Sequence, residues 1–185
     1  MENKTFTLTY PWDENGYKPE VTFTLSVDEV GFHMFIRAKE TNPRREYKEH
    51  QNMVCEDSCV EWFVNFMPEE CDRYFNFETN ANGATYAAFR KDRFDYQMLE
   101  DEDIDKMDIR TEILDEDWVV QYCVPFSLIR KYVPQYQFSE GMKIRTNFYK
   151  CGDKTELPHY GIWKEFPIPA PDYHLPQFFG EVILE

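Results

Sequence analysis

Three segments of the chain carry polar and aromatic side chains at every second position. Alternate residues of an extended segment point to the same side, so each segment has one apolar side and one mixed side. The mixed sides hold Cys59, Glu61, Phe63 and Asn65; Tyr74, Asn76, Glu78 and Asn80; and Lys143, Arg145, Asn147 and Tyr149. Carboxylates, amides and guanidinium groups pair with hydroxyl groups in fixed geometry, and flat aromatic rings offer an apolar surface for stacking. If the three segments are neighbouring strands, these sides join into one patch suited to a sugar; otherwise the pattern describes the ordinary solvent side of an antiparallel sheet.

Two of these residues, Glu61 and Glu78, would also suit catalysis, because glycoside hydrolysis uses two carboxyl groups on opposite sides of the scissile bond. A chain with 35 acidic residues offers such pairs by chance. It contains no GxSxG nucleophile motif and no glycine-rich phosphate loop. A haem site is disfavoured because His33 and Met34 are adjacent and face opposite ways on a strand. The residues therefore favour binding, with a glycoside hydrolase as the lesser alternative.

The elements that position these residues follow a period of two rather than 3.6. Residues 21–27 and 32–38 alternate apolar and polar side chains and predict a hairpin. Asn82-Gly83 is typical of the tight turn that closes another hairpin. Further strands are predicted at 59–66, 73–80, 84–89, 107–114, 117–124, 142–150 and 178–184.

The remaining segments complete the predicted fold. Pro125–Val133 predicts the one short connecting helix, since proline suits the first helical turn, and residues 92–105 are expected to be irregular. About ten short strands separated by turns predict an all-β fold, an antiparallel β-sandwich of the immunoglobulin or jelly-roll kind. We expect one domain over residues 1–185.

Charge and cysteine content narrow the partners and the compartment. The formal net charge of −15 disfavours nucleic acid and anionic membranes and suits a neutral ligand. The five cysteines include no CxxC pair, which favours free thiols over a zinc site. The N-terminal residues show no secretory signal pattern, and no apolar run approaches the roughly 20 residues that cross a membrane. The chain as written is expected to be cytoplasmic, or secreted if it has been trimmed.

Three sequence motifs carry a resemblance to a known family. They are DSCVEWFV at residues 57–64, YFNFETNANG at residues 74–83, and Trp163 followed by Pro169, the segment PDYH at 171–174, Pro176 and the segment FGE at 179–181. In this order and spacing they resemble the family 9 carbohydrate-binding modules, and most closely the free-standing family 9-like branch common in bacteria. The resemblance covers the chain from about Phe6 to Leu184.

The resemblance implies a β-sandwich that binds sugar and is often attached to xylanases. Well-known members hold the end of a glucan or xylan chain between two tryptophan rings, with a glutamate, an arginine and amides on the hydroxyls. It implies that Trp163 is one stacking ring and that Glu61 is the carboxylate. The position of the family arginine is held here by Glu78, and the second tryptophan is replaced by Val54-Cys55, so Tyr47 or Tyr74 is a candidate substitute.

The sequence thus predicts non-catalytic recognition of a mono- or oligosaccharide. A further prediction is that the protein works beside a glycoside hydrolase. The predicted ligand-binding residues are Trp163, Glu61, Glu78, Asn76, Arg145 and Tyr74. A structural calcium ion is implied by the family, with the acidic residues 100–103 as candidate oxygen ligands or else as a solvated loop. The alternative function is a protein-interaction sandwich without a small ligand.

Overall fold

Two antiparallel sheets face each other in the structure, a computed structural model that describes residues 3–184. The smaller sheet has the order β1 (Lys4–Thr7), β2 (Val21–Val27), β3 (Gly31–Ala38), β9 (Trp118–Pro125) and β8 (Arg110–Ile113). The larger sheet has the order β11 (Tyr160–Ile162), β10 (Lys143–Cys151), β4 (Cys59–Asn65), β5 (Tyr74–Asn80), β6 (Thr85–Arg90) and β7 (Tyr96–Met98). A further strand, β12 (Gly180–Ile183), pairs with the half of β10 that β11 leaves free. The predicted antiparallel β-sandwich is confirmed.

The core between the sheets follows directly from the alternation of side chains. Strand β2 buries every second residue, and β4 and β5 direct Trp62 and Phe77 inward. Burying aromatic side chains of this size contributes a large share of the stability of such a domain. Trp62 remains satisfied there because its indole N–H donates to Thr146 Oγ1 at 2.8 Å. The hydrophobic effect thus fixes which side of β4, β5 and β10 faces the smaller sheet, and the mixed side faces away from it.

Turn chemistry sets the strand register at two hairpins. Asp28 accepts hydrogen bonds from the backbone N–H groups of Val30 and Gly31 at 2.8 and 3.2 Å, closing the predicted β2–β3 hairpin. Gly83 closes the β5–β6 hairpin with φ of 85°, a left-handed conformation that glycine adopts without the steric cost other residues meet. A separate connection, residues 66–73, joins β4 to β5, and these two strands pair so that Glu61 lies directly opposite Glu78.

The short elements differ from the sequence prediction. The predicted connecting helix is confirmed as α2 (Phe126–Tyr132), but the prediction of a single helix is wrong, because residues 92–105 contain strand β7 and a second helix, α1 (Asp101–Asp105). Strands β1 and β11 were not predicted, because they are three or four residues long and too short to show a period. Among the described residues, no helix is long and apolar enough to cross a membrane.

The mixed side of the larger sheet is not an open solvent surface. Residues 163–179 fold across it and form a second, smaller core, in which Tyr173 stacks on Tyr149 with ring centroids 4.0 Å apart. Phe179 adds an edge contact to Tyr74, at 5.3 Å between centroids. The covering segment therefore leaves only part of the predicted patch accessible.

Candidate functional site

A cleft of about 740 Å³ opens where the covering segment meets the edge of the larger sheet. Its polar lining comes from Glu61, Glu78, Arg93, Asp153, Asp172 and His174, and its aromatic walls come from Trp12, Tyr160 and Tyr173. Polar groups converging among aromatic walls in a cleft of this size are typical of a small-molecule site. This is the chemistry that the sequence predicted for a sugar.

Glu61 and Glu78 form the floor of the cleft. Their strands β4 and β5 pair directly at these two residues, and both side chains are nearly buried. Burial and the neighbouring Glu78 carboxyl raise the pKa of Glu61 well above its usual range. Burial also raises the pKa of Glu78 to about 7, even though Arg90 acts in the opposite direction. A protonated carboxyl group can both donate and accept a hydrogen bond, which is the pairing that a sugar hydroxyl offers.

Glu78 is held in place by a chain of hydrogen bonds beneath the floor. The Asn76 amide donates to Glu78 Oε1 at 2.8 Å, and Arg90 Nε donates to the Asn76 carbonyl at 2.6 Å. Arg90 also donates to the Tyr86 hydroxyl at 2.9 Å and stacks on the Tyr96 ring at 4.4 Å. Asn76 is fully buried, so it positions Glu78 and does not line the cleft.

One wall of the cleft belongs to the covering segment. His174 Nδ1 is 2.9 Å from the Tyr74 hydroxyl, and burial lowers the pKa of His174 to about 3, which keeps the imidazole neutral. Asp172 accepts a hydrogen bond from the His174 backbone N–H at 3.0 Å and pairs with Arg93 at 2.6 Å. Tyr74 is itself fully buried, so it supports His174 from behind the wall.

Trp12 is an aromatic residue of the cleft lining that was not singled out from the sequence. The half-buried ring lies in the loop between β1 and β2, and its indole N–H donates to the Ile168 carbonyl at 3.0 Å. Its centroid is 6.3 Å from that of Tyr173. Trp12 is therefore a candidate for the second stacking ring, a role for which the sequence offered only Tyr47 and Tyr74. Of these, Tyr47 donates its hydroxyl to Glu56 at 2.5 Å and lies outside the cleft lining.

Trp163 does not line the cleft. Its ring packs toward the main core, with centroids 4.8 Å from Phe6 and 5.6 Å from Phe148. The reason is the period of two: Ile162 on β11 faces the second core, so Trp163, the next residue, turns to the other side of the sheet. Lys164 Nζ lies 4.8 Å above the Trp163 ring.

Arg145 is also separate from the cleft. It lies on the mixed side of β10, but at the end of the strand six residues from Cys151, roughly 20 Å away for an extended chain. There it pairs with Glu181 across β12 at 3.2 Å. The structure thus brings Glu61 and Glu78 to the cleft with Asn76 and Tyr74 behind them, and it does not bring Trp163 or Arg145 there. Which of the six residues contact sugar stays a prediction.

The acidic residues 100–103 do not fit a calcium ion. They form the start of helix α1 rather than a loop, and Asp103 is buried between Lys106 and Lys131 at 2.9 and 2.5 Å. The Tyr132 hydroxyl also donates to Asp103 at 2.9 Å. Ion pairs and hydrogen bonds therefore already occupy both carboxylate oxygen atoms of Asp103, the one buried residue of this run.

Comparison with known proteins agrees with the fold. The sequence profile described as carbohydrate-binding family 9 matches residues 4–184. A protein of known structure from Bacteroides uniformis ATCC 8492, described as a candidate carbohydrate-binding protein, is 27% identical with a TM-score of 0.82, over 98% of this chain and 86% of that one. No curated protein matches the sequence.

More distant structures share the fold. A family 9 carbohydrate-binding module from Caldicellulosiruptor kristjanssonii, solved with glucose, is 12% identical with a TM-score of 0.66, over 97% of this chain and 84% of that one. The same description applies to a structure with cellotriose, which is 11% identical with a TM-score of 0.68, over 98% and 82% of the two chains. The profile match and the sandwich fold define a carbohydrate-binding module as the class of this protein. The chain belongs to carbohydrate-binding family 9.

Proposed function

We propose that the cleft between Trp12 and the Glu61–Glu78 floor binds a neutral mono- or short oligosaccharide, without catalysis. The observation that carries the proposal is the direct pairing of Glu61 and Glu78 at the base of a cleft with an aromatic wall. The two carboxyl groups would bind sugar hydroxyls, and the Trp12 ring would stack on the apolar face of the sugar. Complexes of distant relatives with glucose and cellotriose make glucose-based sugars the first to test.

The pKa values support binding rather than hydrolysis. A glycosidase needs one carboxyl group that is ionised and one that is protonated, so its environments move the two pKa values apart. Here burial is the largest influence on both groups and raises the pKa of Glu61 as well as that of Glu78. Among the described residues, no salt bridge joins Glu61 or Glu78 to a basic side chain that would keep the carboxyl group ionised. Work beside a separate glycoside hydrolase remains a prediction from the sequence.

Isothermal titration calorimetry with glucose, cellotriose, xylose and mannose tests the proposal. We expect binding with a dissociation constant below about a millimolar for at least one sugar, equivalent to about −4 kcal/mol. Glu61→Ala should weaken it at least about tenfold, or 1.4 kcal/mol, because a hydrogen-bonding group on the floor is lost. Glu112→Ala, an exposed glutamate on β8 of the other sheet, is the matched control and should bind as the wild type does.

Two outcomes would contradict the proposal. Folded wild-type protein that gives no heat with any of these sugars would remove sugar binding from this cleft. Release of glucose from cellotriose by the wild type, with none released by Glu61→Ala, would show that the carboxyl pair is catalytic.

A further inference from the structure

Two buried thiols lie beside the carboxyl group of Glu61. Cys59 on β4 and Cys151 on β10 are direct cross-strand partners, and their thiols are within hydrogen-bond reach of each other. Cys151 Sγ is 2.9 Å from Glu61 Oε1. One ligand atom from each of the three residues lies within 4.8 Å of the other two. Two sulfur atoms and one oxygen atom therefore converge at one point on the sheet.

This geometry points to a site for a thiophilic divalent cation, and we propose that Cys59, Cys151 and Glu61 bind zinc or a similar metal ion. Tetrahedral zinc with Zn–S bonds of about 2.3 Å separates its ligand atoms by about 3.7 Å, which is compatible with the spread of these three atoms. Two thiolates disfavour calcium and magnesium, which take oxygen ligands, and favour a softer divalent cation such as zinc. The spacing of the cysteines favours free thiols and does not indicate this site, because neighbouring strands and not a CxxC motif bring Cys59 and Cys151 together.

The surroundings of the three residues favour a cation. Glu78 and Asp153 line the cleft beside them, and no ion pair joins Glu61, Glu78 or Asp153 to a basic side chain among residues 3–184. The nearby Lys150 is directed to the other side of the sheet, where its Nζ is 3.1 Å from Glu40 and 2.6 Å from His159. A bound dication would offset the charge of two thiolates and a carboxylate, which are costly to bury unpaired.

The fourth coordination position would face the cleft. Both Glu61 and Cys151 line the cleft, as does Cys55, whose carbonyl lies 3.7 Å from Cys151 Sγ. Three protein ligands with one position open to a cleft is an arrangement in which zinc can hold water or an added ligand. The inference goes beyond the proposed function, and metal binding is tested without sugar so that the two can fail separately.

The experiment uses the reduced, metal-free full chain without oxygen. Titration with Co²⁺ should produce thiolate-to-cobalt charge-transfer absorption and the visible bands of a tetrahedral site. Cys151→Ser should lose the charge-transfer absorption, and Glu61→Gln should weaken cobalt binding at least tenfold. Cys71→Ser and Cys123→Ser are matched controls, because these cysteines are free and absent from the cleft lining, and both should bind cobalt as the wild type does.

X-ray absorption at the zinc edge of the wild type identifies the atoms that bind the metal, and it does so even if Cys151→Ser does not fold. We expect one zinc per chain with two sulfur ligands at about 2.3 Å and the remaining ligands oxygen. Zinc that is lost on desalting, or retained with only oxygen and nitrogen ligands, would overturn the proposal. So would a cobalt charge-transfer band that persists in Cys151→Ser.

Discussion

At the scale of single residues, the two tryptophans near the larger sheet have different surroundings. Trp12 forms a wall of the cleft in a loop, whereas Trp163 packs its ring against Phe6 and Phe148 of the main core. A ring that stacks on a ligand can be removed with little loss of stability. A ring that packs in a core cannot, because its removal leaves a cavity.

Trp12→Ala is therefore expected to weaken sugar binding at least about tenfold, through loss of about 1.4 kcal/mol of stacking, with a small change in the urea midpoint. Trp163→Ala is the matched comparison. It should destabilise the fold by about 2–4 kcal/mol, while its folded fraction binds sugar as the wild type does. Calorimetry and urea unfolding of both variants check this. If Trp163→Ala instead loses sugar affinity without losing stability, and Trp12→Ala keeps its affinity, then Trp163 and not Trp12 contacts the sugar.

The same residues show what the sequence could and could not reveal. The period of two predicted that Glu61 and Glu78 lie on the mixed side of their strands, whereas their direct pairing depends on the register of β4 and β5, which the sequence left open. The position of Trp12 could not, because it depends on the conformation of a long loop. The packing of Trp163 toward the main core could not be predicted either, because strand β11, at three residues, is too short to show which way its neighbours point.

At the scale of elements, the covering segment of residues 163–179 makes the cleft. It buries the far part of the mixed side and supplies Asp172, Tyr173 and His174 to the walls. The sequence predicted only the strand at residues 178–184, where this segment ends. It did not show that the segment would cover the predicted patch, because such a contact joins distant parts of the chain.

Phe179 fastens the end of this segment, and its neighbour Phe178 provides a control. Phe179 is buried with its ring 5.3 Å from Tyr74, whereas Phe178 is 38% exposed. Phe179→Ala should destabilise the protein by about 3–4 kcal/mol and weaken sugar binding, because the wall of the cleft loosens. Phe178→Ala should cost less than about half as much and leave affinity unchanged. Equal effects of the two substitutions on affinity would show that the segment does not shape the site.

At the scale of the whole molecule, the buried carboxyl pair links stability to pH. Glu78 has a pKa raised from 4.5 to about 7 in the folded state, so between these values the folded chain binds a proton that the unfolded chain has lost. Folding stability therefore falls as pH rises through this window, by at most about 1.4 kcal/mol per pH unit for each such group. The pKa of Glu61 is raised in the same direction, mainly by burial, and contributes to the same decline.

Urea unfolding between pH 4.5 and 8 measures this linkage. Glu78→Gln should flatten the decline, because an amide does not ionise, and Glu112→Gln on the other sheet should leave the slope as in the wild type. Stability that rises with pH through this window in the wild type, or a slope unaffected by Glu78→Gln, would contradict the buried state of the pair.

The net charge of −15 should not affect the binding of a neutral ligand, so sugar affinity is expected to be insensitive to salt concentration.

Sugar should occupy the cleft above Glu61 and Glu78, and a crystal structure of the protein with cellotriose would show whether it does. We expect a glucose ring against Trp12, with hydroxyl groups within hydrogen-bond distance of the Glu61 and Glu78 carboxyl groups. A sugar bound instead at Trp163 or Arg145, with the cleft empty, would show that the carboxyl pair is not the binding site.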